Sequence, residues 1–573
     1  MNRDRPIRIA NCSGFFGDRL SAAKEMVDGG DIDVLTGDWL AELTMLILHK
    51  QRARNSELGF ASTFLTQMEQ VLGTCIERGI KVVSNAGGLN PGGCADRVRQ
   101  IADRLGIEVN VAHIEGDDLM PRIDALRPQL TNLDTGEAFT ATPVSANAYL
   151  GGWGIAAALG AGADVVVCPR VTDASLVVGP AAWWWEWATD DWDALAGAVV
   201  AGHVIECGAQ ASGGNYSFFS EIPDLTKPPG FPLAEIDANG ACVISKHPGT
   251  GGLISIGTVT AQLLYEISGP LYLNPDVTCD FGSIHLDGDG ADRVRIRGVK
   301  GLPAPPTTKV CINYDGGYRN RMTFVLSGLH QAQKAEWAES ALFARLGGKD
   351  LFDEVDVRFV AAPSDAVGQE ASSGRLHVTV ISNDERAVGR AFSSAVVELA
   401  LANYPGFFAS SQPTDAQPFG VYWPALVDNE EVEQVVVLPD GSRLQIESVP
   451  TGPASWSPAP DMSDVTPVGP GPGEPLGRFF GARSGDKGGN ANVGIWATDA
   501  AGYGWLAANL TVARLSDLIP EVAGLEVRRY ELPNLFALNF VIVGFLGRGV
   551  ASSTSFDAQA KGLGEYLRSR IWR

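Results

Sequence analysis

Short apolar segments alternate with amphipathic segments through the first two hundred residues. Segments with the apolar periodicity of a helix lie between strand-like runs at 7–12, 32–35, 81–84, 108–114, 164–168 and 203–207. Short apolar strands that alternate with helices are typical of βαβ units, so the pattern predicts a mostly parallel sheet. Ligands bind outside the carboxyl ends of the strands in such sheets. We therefore expect one site edge formed by the loops at 11–19, 36–39, 85–93, 115–118, 169–175 and 207–215.

The pattern changes after about residue 240. A β-rich run is predicted at 253–259, and strand-like and helical segments then alternate up to residue 403. Eight prolines lie between residues 450 and 475, which indicates a linker. The last hundred residues read as strand, helix, strand, strand, helix. The predicted organisation is an α/β (Rossmann-like) part at 1–240, an α+β part at 241–449, a linker at 450–476 and a small α+β domain at 477–573.

Composition narrows the class of protein. A net charge of -23 argues against binding to nucleic acid and against docking on anionic membranes. The eight cysteines are scattered without a CxxC pair, which is typical of reduced thiols. The N-terminus leads straight into a strand-like run, and no window reaches ~18 uninterrupted apolar residues. We expect a cytoplasmic enzyme without a membrane span.

The segment Arg483–Asn492 (RSGDKGGNAN) is the most polar loop predicted in the chain. Glycine lets backbone N–H groups approach a ligand, and Arg483 and Lys487 supply positive charge for a small anion such as a phosphate. Two other interpretations stay open. Asp486 could neutralise the cations in a turn, or the C-terminal domain could dock on the main domain's site or on a neighbouring subunit.

The N-terminal segment Asn11–Arg19 (NCSGFFGDR) is a second polar loop of this kind. The amides of Gly14 and Gly17, together with Arg19, could hold a phosphate or carboxylate, with Asp18 as an acid/base group or a metal ligand. The alternative is a strand-to-helix turn that Asp18 caps. The loop at 85–93 offers Asn85 for substrate binding, with Gly87 and Gly88 as oxyanion donors.

Two further candidate groups follow predicted strands. Arg170 could orient an anionic ligand while Asp173 transfers a proton, or the two could form a structural pair with Asp173 as a helix cap. Glu206 at the end of the run at 203–207 is a third acid/base candidate, because a buried glutamate has a raised pKa. Asn215 lies close behind as a binding candidate, and Cys207 would be a nucleophile only beside a basic group.

Metal, nucleotide and partner binding each have one sequence signal. His113 and Glu115 lie on one face of a strand and could share a Mg²⁺ or Mn²⁺ ion with a loop aspartate, but a satisfied strand-end histidine explains the pair better. Gly152–Ala157 matches GxGxxA, but helix packing by small residues explains it better. Trp183–Trp192 is dense in tryptophan, which favours packing at a subunit or domain contact, with a lid over an acyl tail as the alternative.

Taken together, these segments resemble the acyclic terpene utilization AtuA family. The resemblance is carried by Ile9–Arg19, Leu35–Leu40, Ser84–Gly88, Gly162–Ser175, Lys246–Thr260, Arg483–Asn490 and Gly547–Ser553. It implies a ferredoxin-fold C-terminal domain. It also implies a role in the breakdown of citronellol- and geraniol-type acids as coenzyme A thioesters, around hydration or acetate-releasing cleavage of a branched 3-hydroxyglutaryl-type thioester.

We therefore expect a lyase or hydratase that acts on an acyl-CoA thioester, with no firm cofactor beyond that substrate and Mg²⁺ left open. We also expect a homo-oligomer, formed through Trp183–Trp192 and the C-terminal domain. Two other classes of function stay open. One is an accessory subunit of a complex that processes CoA esters, such as a carboxylase. The other is a nucleotide- or phosphate-processing enzyme, which the missing Walker A motif disfavours.

Overall fold

A computed structural model describes residues 4–456 and 465–573. It divides into two compact units. The first comprises Met1–Asn313, Tyr422–Val550 and Asp557–Arg573, and the second comprises Tyr314–Val421 and Ala551–Phe556. The predicted segment boundaries at 240, 449 and 476 stay predictions, and residues 457–464 of the predicted linker lie outside the described residues.

The strands up to residue 302 all belong to the first unit. They are β1 (Ile7–Asn11), β2 (Val34–Gly37), β3 (Lys81–Ser84), β4 (Val111–Glu115), β5 (Pro143–Ala148), β6 (Val165–Val167), β7 (Pro232–Ile236), β8 (Cys242–Lys246), β9 (Leu271–Leu273), β10 (Thr278–Asp280), β11 (His285–Gly288), β12 (Arg293–Arg297) and β13 (Lys300–Leu302). The helices between them are α1 (Ala22–Gly29), α2 (Glu42–Arg54), α3 (Ser62–Arg78), α4 (Pro91–Leu105), α5 (Ile123–Leu126), α6 (Trp153–Gly160), α7 (Ser175–Trp185), α8 (Trp192–Ile205) and α9 (Ile256–Leu263).

The large sheet of this unit also takes in β19 (Gln434–Val437) and β20 (Arg443–Ile446). Its order is β11-β12-β8-β7-β1-β2-β3-β6-β4-β19-β20. The central strands β1, β2, β3, β6 and β4 pair in parallel, and the outer pairings are antiparallel. All residues of β2 and β6 are buried, because helices cover both faces of a parallel sheet. The predicted α/β class with a parallel sheet is confirmed.

The second unit contains most of β14 (Thr307–Leu326) together with β15 (Glu354–Val360), β16 (Gly374–Ser382), β17 (Phe408–Ala409) and part of β18 (Gln417–Asp428). Strands β15, β16, β14 and β17 pair antiparallel in that order. Helices α10 (Gln331–Leu346) and α11 (Phe392–Glu398) cover one face, where Phe324, Val378 and Phe392 are buried in a common core.

The C-terminal domain is a four-stranded antiparallel sheet with three helices. Its elements are β21 (Gly481–Lys487), β22 (Asn490–Trp496), α12 (Ala500–Asn509), α13 (Val512–Leu518), β23 (Val527–Leu532), β24 (Ala537–Ile542) and α14 (Leu563–Ser569). The strand order is β21-β22-β24-β23. Val493, Leu506 and Phe540 meet in its core, so the sheet and the helices bury a common apolar surface.

Three element predictions are wrong. Residues 203–205 end helix α8 and residues 206–207 follow in a turn, because the apolar stretch from Ala194 to Ile205 is long enough for a helix that is buried on all sides. The β-rich run at 253–259 contains the start of α9, where Ser255 accepts a hydrogen bond from Thr258 N as an N-cap. The predicted loop at 483–492 is a hairpin, in which only Gly488 and Gly489 lie outside β21 and β22.

Candidate functional site

Loops that follow the parallel strands bring polar side chains to one edge of the large sheet. Asp38 follows β2 and Asn85 follows β3, and the Asn85 Nδ2 donates to Asp38 Oδ1 at 2.5 Å. Asp117 follows β4, and its Oδ2 accepts a hydrogen bond from the backbone N–H of Arg170, which follows β6, at 3.2 Å. The carboxyl ends of these strands therefore meet as the alternating pattern indicates.

A larger set of charged groups converges beside this edge. We call it the polar cluster, and its members are Asp38, Glu42, Arg170, Asp173, Glu206, Glu266, Lys309, Asp486 and Lys487. They come from strand-end loops, from helix ends and from the C-terminal hairpin. Each lies within electrostatic range of others in the set, so the protonation of one depends on its neighbours.

Arg170 is the buried cation of the polar cluster. Its side chain is 3% exposed, and its Nη2 lies 3.1 Å from Asp173 Oδ1. Its Nη1 donates to Leu40 O at 2.9 Å, and its guanidinium carbon lies 4.2 Å from the centre of the Tyr149 ring. Burial disfavours the charge, but the surrounding carboxylates raise the pKa of Arg170 well above its ordinary value. Its Nε has no hydrogen-bond partner among the described residues.

Glu42 and Lys309 form a second charged pair beside Tyr149. The Tyr149 hydroxyl donates to Glu42 Oε1 at 2.8 Å, and Lys309 Nζ lies 3.6 Å from the same oxygen. Burial would raise the pKa of Glu42, but Lys309 and Arg170 outweigh it and lower the pKa to about 2. Glu42 is therefore ionised at neutral pH.

Glu206 directly follows α8 and is 7% exposed. Burial, and then the negative charges of Asp173 and Glu266, raise the pKa of Glu206 well above its ordinary value, against Lys487 and Arg170. Its Oε1 lies 3.3 Å from His203 Nδ1, and burial with the nearby Lys487 lowers the pKa of His203 to about 4. These surroundings favour the protonated form of Glu206, and its Oε2 lacks a hydrogen-bond partner within the described part of the chain.

The C-terminal hairpin supplies the far side of the polar cluster. Burial, followed by the nearby Lys309, lowers the pKa of Lys487, although Glu266, Glu42 and Glu206 oppose the shift. Burial and the charges of Glu266 and Glu42 raise the pKa of Asp486 to about 8. Arg483 lies near the cluster, where it stacks on the Tyr265 ring at 4.1 Å and donates to Gln210 Oε1.

The N-terminal loop supports the end of α8. Asn11 Nδ2 donates to Glu206 O at 3.0 Å, and a Cβ on Gly14 would lie 2.6 Å from the backbone carbon of Cys207. Asp18 accepts hydrogen bonds from Gly14 N at 2.9 Å and from Arg19 N at 2.8 Å, so its carboxylate closes the loop on itself. The acid/base role of Asp18 stays a prediction.

Arg19 and the other predicted binding groups have contacts of their own. Arg19 pairs with Glu25 at 2.7 Å and stacks on Phe231 at 4.8 Å. Gly87 N donates to Cys168 O at 3.1 Å and Gly88 N donates to Asn85 O at 3.2 Å. The amides of Gly14, Gly87 and Gly88 are thus engaged by protein acceptors, whereas Gly17 and Asn215 lie in exposed turns. The binding roles of this set stay predictions.

Three tryptophans of the segment Trp183–Trp192 are hydrogen-bonded within the first unit. Trp184, Trp185 and Trp187 each donate their indole N–H to a backbone carbonyl, of Arg5, Ile236 and Ala238 respectively.

Burial, and then the charge of Glu206, raise the pKa of Cys207 well above its ordinary value, which makes it a poor nucleophile.

The predicted metal pair does not extend to a metal site in the described residues. His113 Nε2 lies 3.1 Å from Glu115 Oε1, and Glu115 also pairs with Arg443 at 2.7 Å. Within residues 4–456 and 465–573, no group of three or more His, Cys, Asp and Glu side chains is arranged to hold a metal ion. Burial lowers the pKa of His113 despite its hydrogen bond to the Glu115 carboxylate.

The sequence pattern points to Arg170, Asp173, Glu206 and Lys487 of the polar cluster, and to Asp486 only as a partner for the cations of its own turn. It gives no role to Asp38, Glu42 or Glu266. Asp38 had a usable signal, because it directly follows a buried strand in one of the predicted edge loops. Glu266 had none, because the pattern predicts a helical segment that runs to Ile267, whereas α9 ends at Leu263 and Glu266 lies in the turn that follows. Only the fold brings Glu42, Lys309 and Glu266 to the same place.

The fold and the site define a mixed α/β protein with a charged cluster at the carboxyl edge of its parallel sheet, and a small antiparallel domain completes that cluster. Models of two protein families match the chain. One, described as acyclic terpene utilisation family protein AtuA, matches residues 7–438, and the other, the AtuA ferredoxin-like domain, matches residues 475–571. The chain therefore belongs to the acyclic terpene utilisation family AtuA, and the resemblance is confirmed. No curated protein and no solved structure matches it. No described helix has the length and apolar character needed to cross a membrane.

Proposed function

We propose that this protein is an acid/base enzyme that acts on an acyl-CoA thioester of a branched, acyclic terpenoid-type acid. The reaction is that of a lyase or a hydratase, and the substrate is a 3-hydroxyacyl or 3-hydroxyglutaryl thioester. The observation that carries the proposal is the juxtaposition of Glu206 and Asp173 in the polar cluster. Glu206 is buried with a raised pKa, while Asp173 is ion-paired to Arg170. Two carboxyl groups in different environments are suited to act as an acid and a base.

The roles follow from these environments. Asp173 takes a proton from the carbon next to the thioester carbonyl or from the 3-hydroxyl, and the protonated form of Glu206 gives a proton to the departing group. Arg170 stabilises the negative charge that develops on the carbonyl oxygen, because its Nε is left without a partner in the described structure. Lys487, on the C-terminal hairpin, is suited to a carboxylate or phosphate of the substrate.

The test is turnover of a panel of enoyl-, 3-hydroxyacyl- and 3-hydroxyglutaryl-type CoA thioesters, followed by mass spectrometry with and without Mg²⁺. We expect gain or loss of water, or release of an acyl fragment. We expect D173N and E206Q to lower kcat by about 10²–10⁴-fold, which is the usual contribution of a general acid or base.

The matched controls are D190N and E57Q, which make the same chemical changes at exposed positions. Both controls should keep full turnover. Full turnover in D173N and E206Q would remove these residues from the mechanism. No mass change across the whole panel, together with capture of a stable partner complex, would favour an accessory subunit instead.

A further inference from the structure

Glu266 lies in an unfavourable backbone conformation inside the polar cluster. It directly precedes Ile267 in the turn after α9, and its φ of 56° is in the left-handed region. That region is unfavourable for a residue with a Cβ, and it persists only where surrounding contacts impose it. The conformation aims the side chain so that Glu266 Oε1 lies 3.5 Å from Lys561 Nζ.

Two buried asparagines of the C-terminal domain impose this turn. Asn492 Oδ1 accepts a hydrogen bond from Glu266 N at 2.8 Å, and Asn492 Nδ2 donates to Leu264 O at 3.1 Å. Asn539 Nδ2 donates to Ile267 O at 3.3 Å. The two amides also bond to each other, from Asn492 Nδ2 to Asn539 Oδ1 at 2.5 Å, and both side chains are fully buried.

Strands β21 and β22 have no room for a side chain against the turn at two glycine positions. A Cβ on Gly494 would lie 2.5 Å from Leu264 Cβ. A Cβ on Gly485 would collide with the Tyr265 ring and lie 3.1 Å from Glu266 Cγ. Because the glycines let the two backbones approach closely, the short asparagine side chains reach the turn. The glycines and the asparagines therefore hold the turn together.

The surroundings of Glu266 combine opposite charges from several elements. The cations that face it are Arg483, Lys487 and Lys561. The other ionisable groups within range are Glu42, Asp173, Glu206, Asp486, Cys207, His203 and Tyr272. Burial raises the pKa of Glu266 to about 7, although Lys487 opposes the shift. A carboxyl group that titrates near neutral pH is suited to proton transfer in either direction.

We propose that Glu266 is a further acid/base group of the reaction, and that Asn492 and Asn539 are positioning residues that hold it through the backbone of residues 264–267. This inference rests on the proposed function. The C-terminal domain then contributes more than the cation Lys487, because it fixes a proton-transferring group that the α/β part carries. The chemistry is therefore incomplete unless both family regions are docked.

The experiment compares the full-length variants E266Q, N492A, N539A and N534A on the thioester that the wild type turns over. Asn534 is the matched control, because its Nδ2 also donates to backbone carbonyls across the same interface, at Phe281 and Ile284, away from Glu266. We expect E266Q to lose at least about tenfold in kcat. N492A and N539A should lower kcat and shift the pH dependence of kcat, whereas N534A should not shift it.

A double variant separates positioning from general stability. If Asn492 acts through Glu266, the E266Q/N492A enzyme should be no slower than E266Q alone, because the second change has nothing left to misplace. Equal effects of N492A and N534A on kcat and on the pH profile would overturn the proposal. Independent, multiplicative losses in the double variant would do the same.

A measurement without substrate keeps this inference distinct from the proposed function. Infrared difference spectra between wild type and E266Q report the titration of the Glu266 carboxyl directly. N492A should move that titration and N534A should leave it in place, whether or not any thioester is turned over. An unmoved Glu266 titration in folded N492A would contradict the positioning role, while a missing turnover in wild type would contradict only the reaction.

Discussion

At the scale of single residues, the competition between burial and neighbouring groups decides which side chains of this protein are charged. Asp117 is 4% exposed, and its Oδ2 accepts hydrogen bonds from Asn147 Nδ2 at 2.7 Å and from Arg170 N. Burial nevertheless outweighs both bonds and raises the pKa of Asp117 to about 7 from its ordinary value of 3.8. Burial also raises the pKa of Glu206, and the negative charges of neighbouring carboxylates raise it further.

This raised pKa predicts how stability changes with pH. The unfolded chain releases the Asp117 proton near pH 4 and the folded chain near pH 7, so the stability from this group is complete below pH 4 and is lost as pH rises towards 7. We expect D117N to change the free energy of unfolding little at pH 4.5 and to raise it by about 1–4 kcal/mol relative to wild type at pH 8. Chemical denaturation at both values measures this.

D118N is the control for this prediction, because Asp118 is the exposed neighbour and carries the same charge. Its effect on the free energy of unfolding should be small at both pH values. A D117N variant that is equally destabilised at pH 4.5 and pH 8 would show that hydrogen bonding, and not a buried charge, dominates at this position.

At the scale of elements, some glycines lie where two elements pack so closely that a Cβ would not fit. Gly494 lies in the middle of β22, where a Cβ would meet the Cβ of Leu264, an atom that cannot turn away. Gly504 lies in the middle of α12, where a Cβ would find only ordinary contact with Pro467 at 3.8 Å. The two positions therefore predict opposite responses to the same substitution.

We expect G494A to lower the free energy of unfolding by about 1–3 kcal/mol, because the strand must move away from Leu264. We expect G504A to raise it by about 0.5–1 kcal/mol, because alanine restricts the unfolded chain and suits a helix. Denaturant titration of the two variants compares them directly. A stabilised G494A would show that β22 and the turn after α9 are not in close contact in solution.

At the scale of the whole first unit, the two family regions share buried hydrogen bonds. Ser217 Oγ donates to Ala482 O at 2.7 Å and accepts from Ala482 N at 3.0 Å. Asn492 and Asn534 add further bonds to backbone groups of the α/β part. Separating the regions would leave these groups buried without partners or expose them, so the regions are expected to open together.

Hydrogen exchange tests this cooperativity. Peptides that cover residues 264–267 and 490–496 should open with the same free energy in the wild type, and N534A should lower both by a similar amount. The measurement is exchange followed by mass spectrometry across a denaturant series. Opening of 490–496 well before 264–267 would show that the C-terminal domain undocks as a separate unit.

The sequence by itself determined the class of fold and part of the site. The alternation of apolar and amphipathic segments predicted the parallel sheet, because strand and helix periodicities are local properties. The same alternation placed Arg170 and Asp173 after a buried strand, and that position alone brings them to the carboxyl edge. The strand predicted at 203–207 is wrong, because an apolar run in a buried helix has the same composition as one in a buried strand.

Only the tertiary structure decided which charged groups face each other. Glu266, Glu42 and Lys309 are far apart in the chain, and no local pattern marks them as neighbours of Lys487. Their pKa values depend on burial and on partners that long-range packing supplies. The left-handed turn at Glu266 likewise exists because Asn492 and Asn539 reach it from another domain, and such a contact is a property of the fold and not of the local sequence.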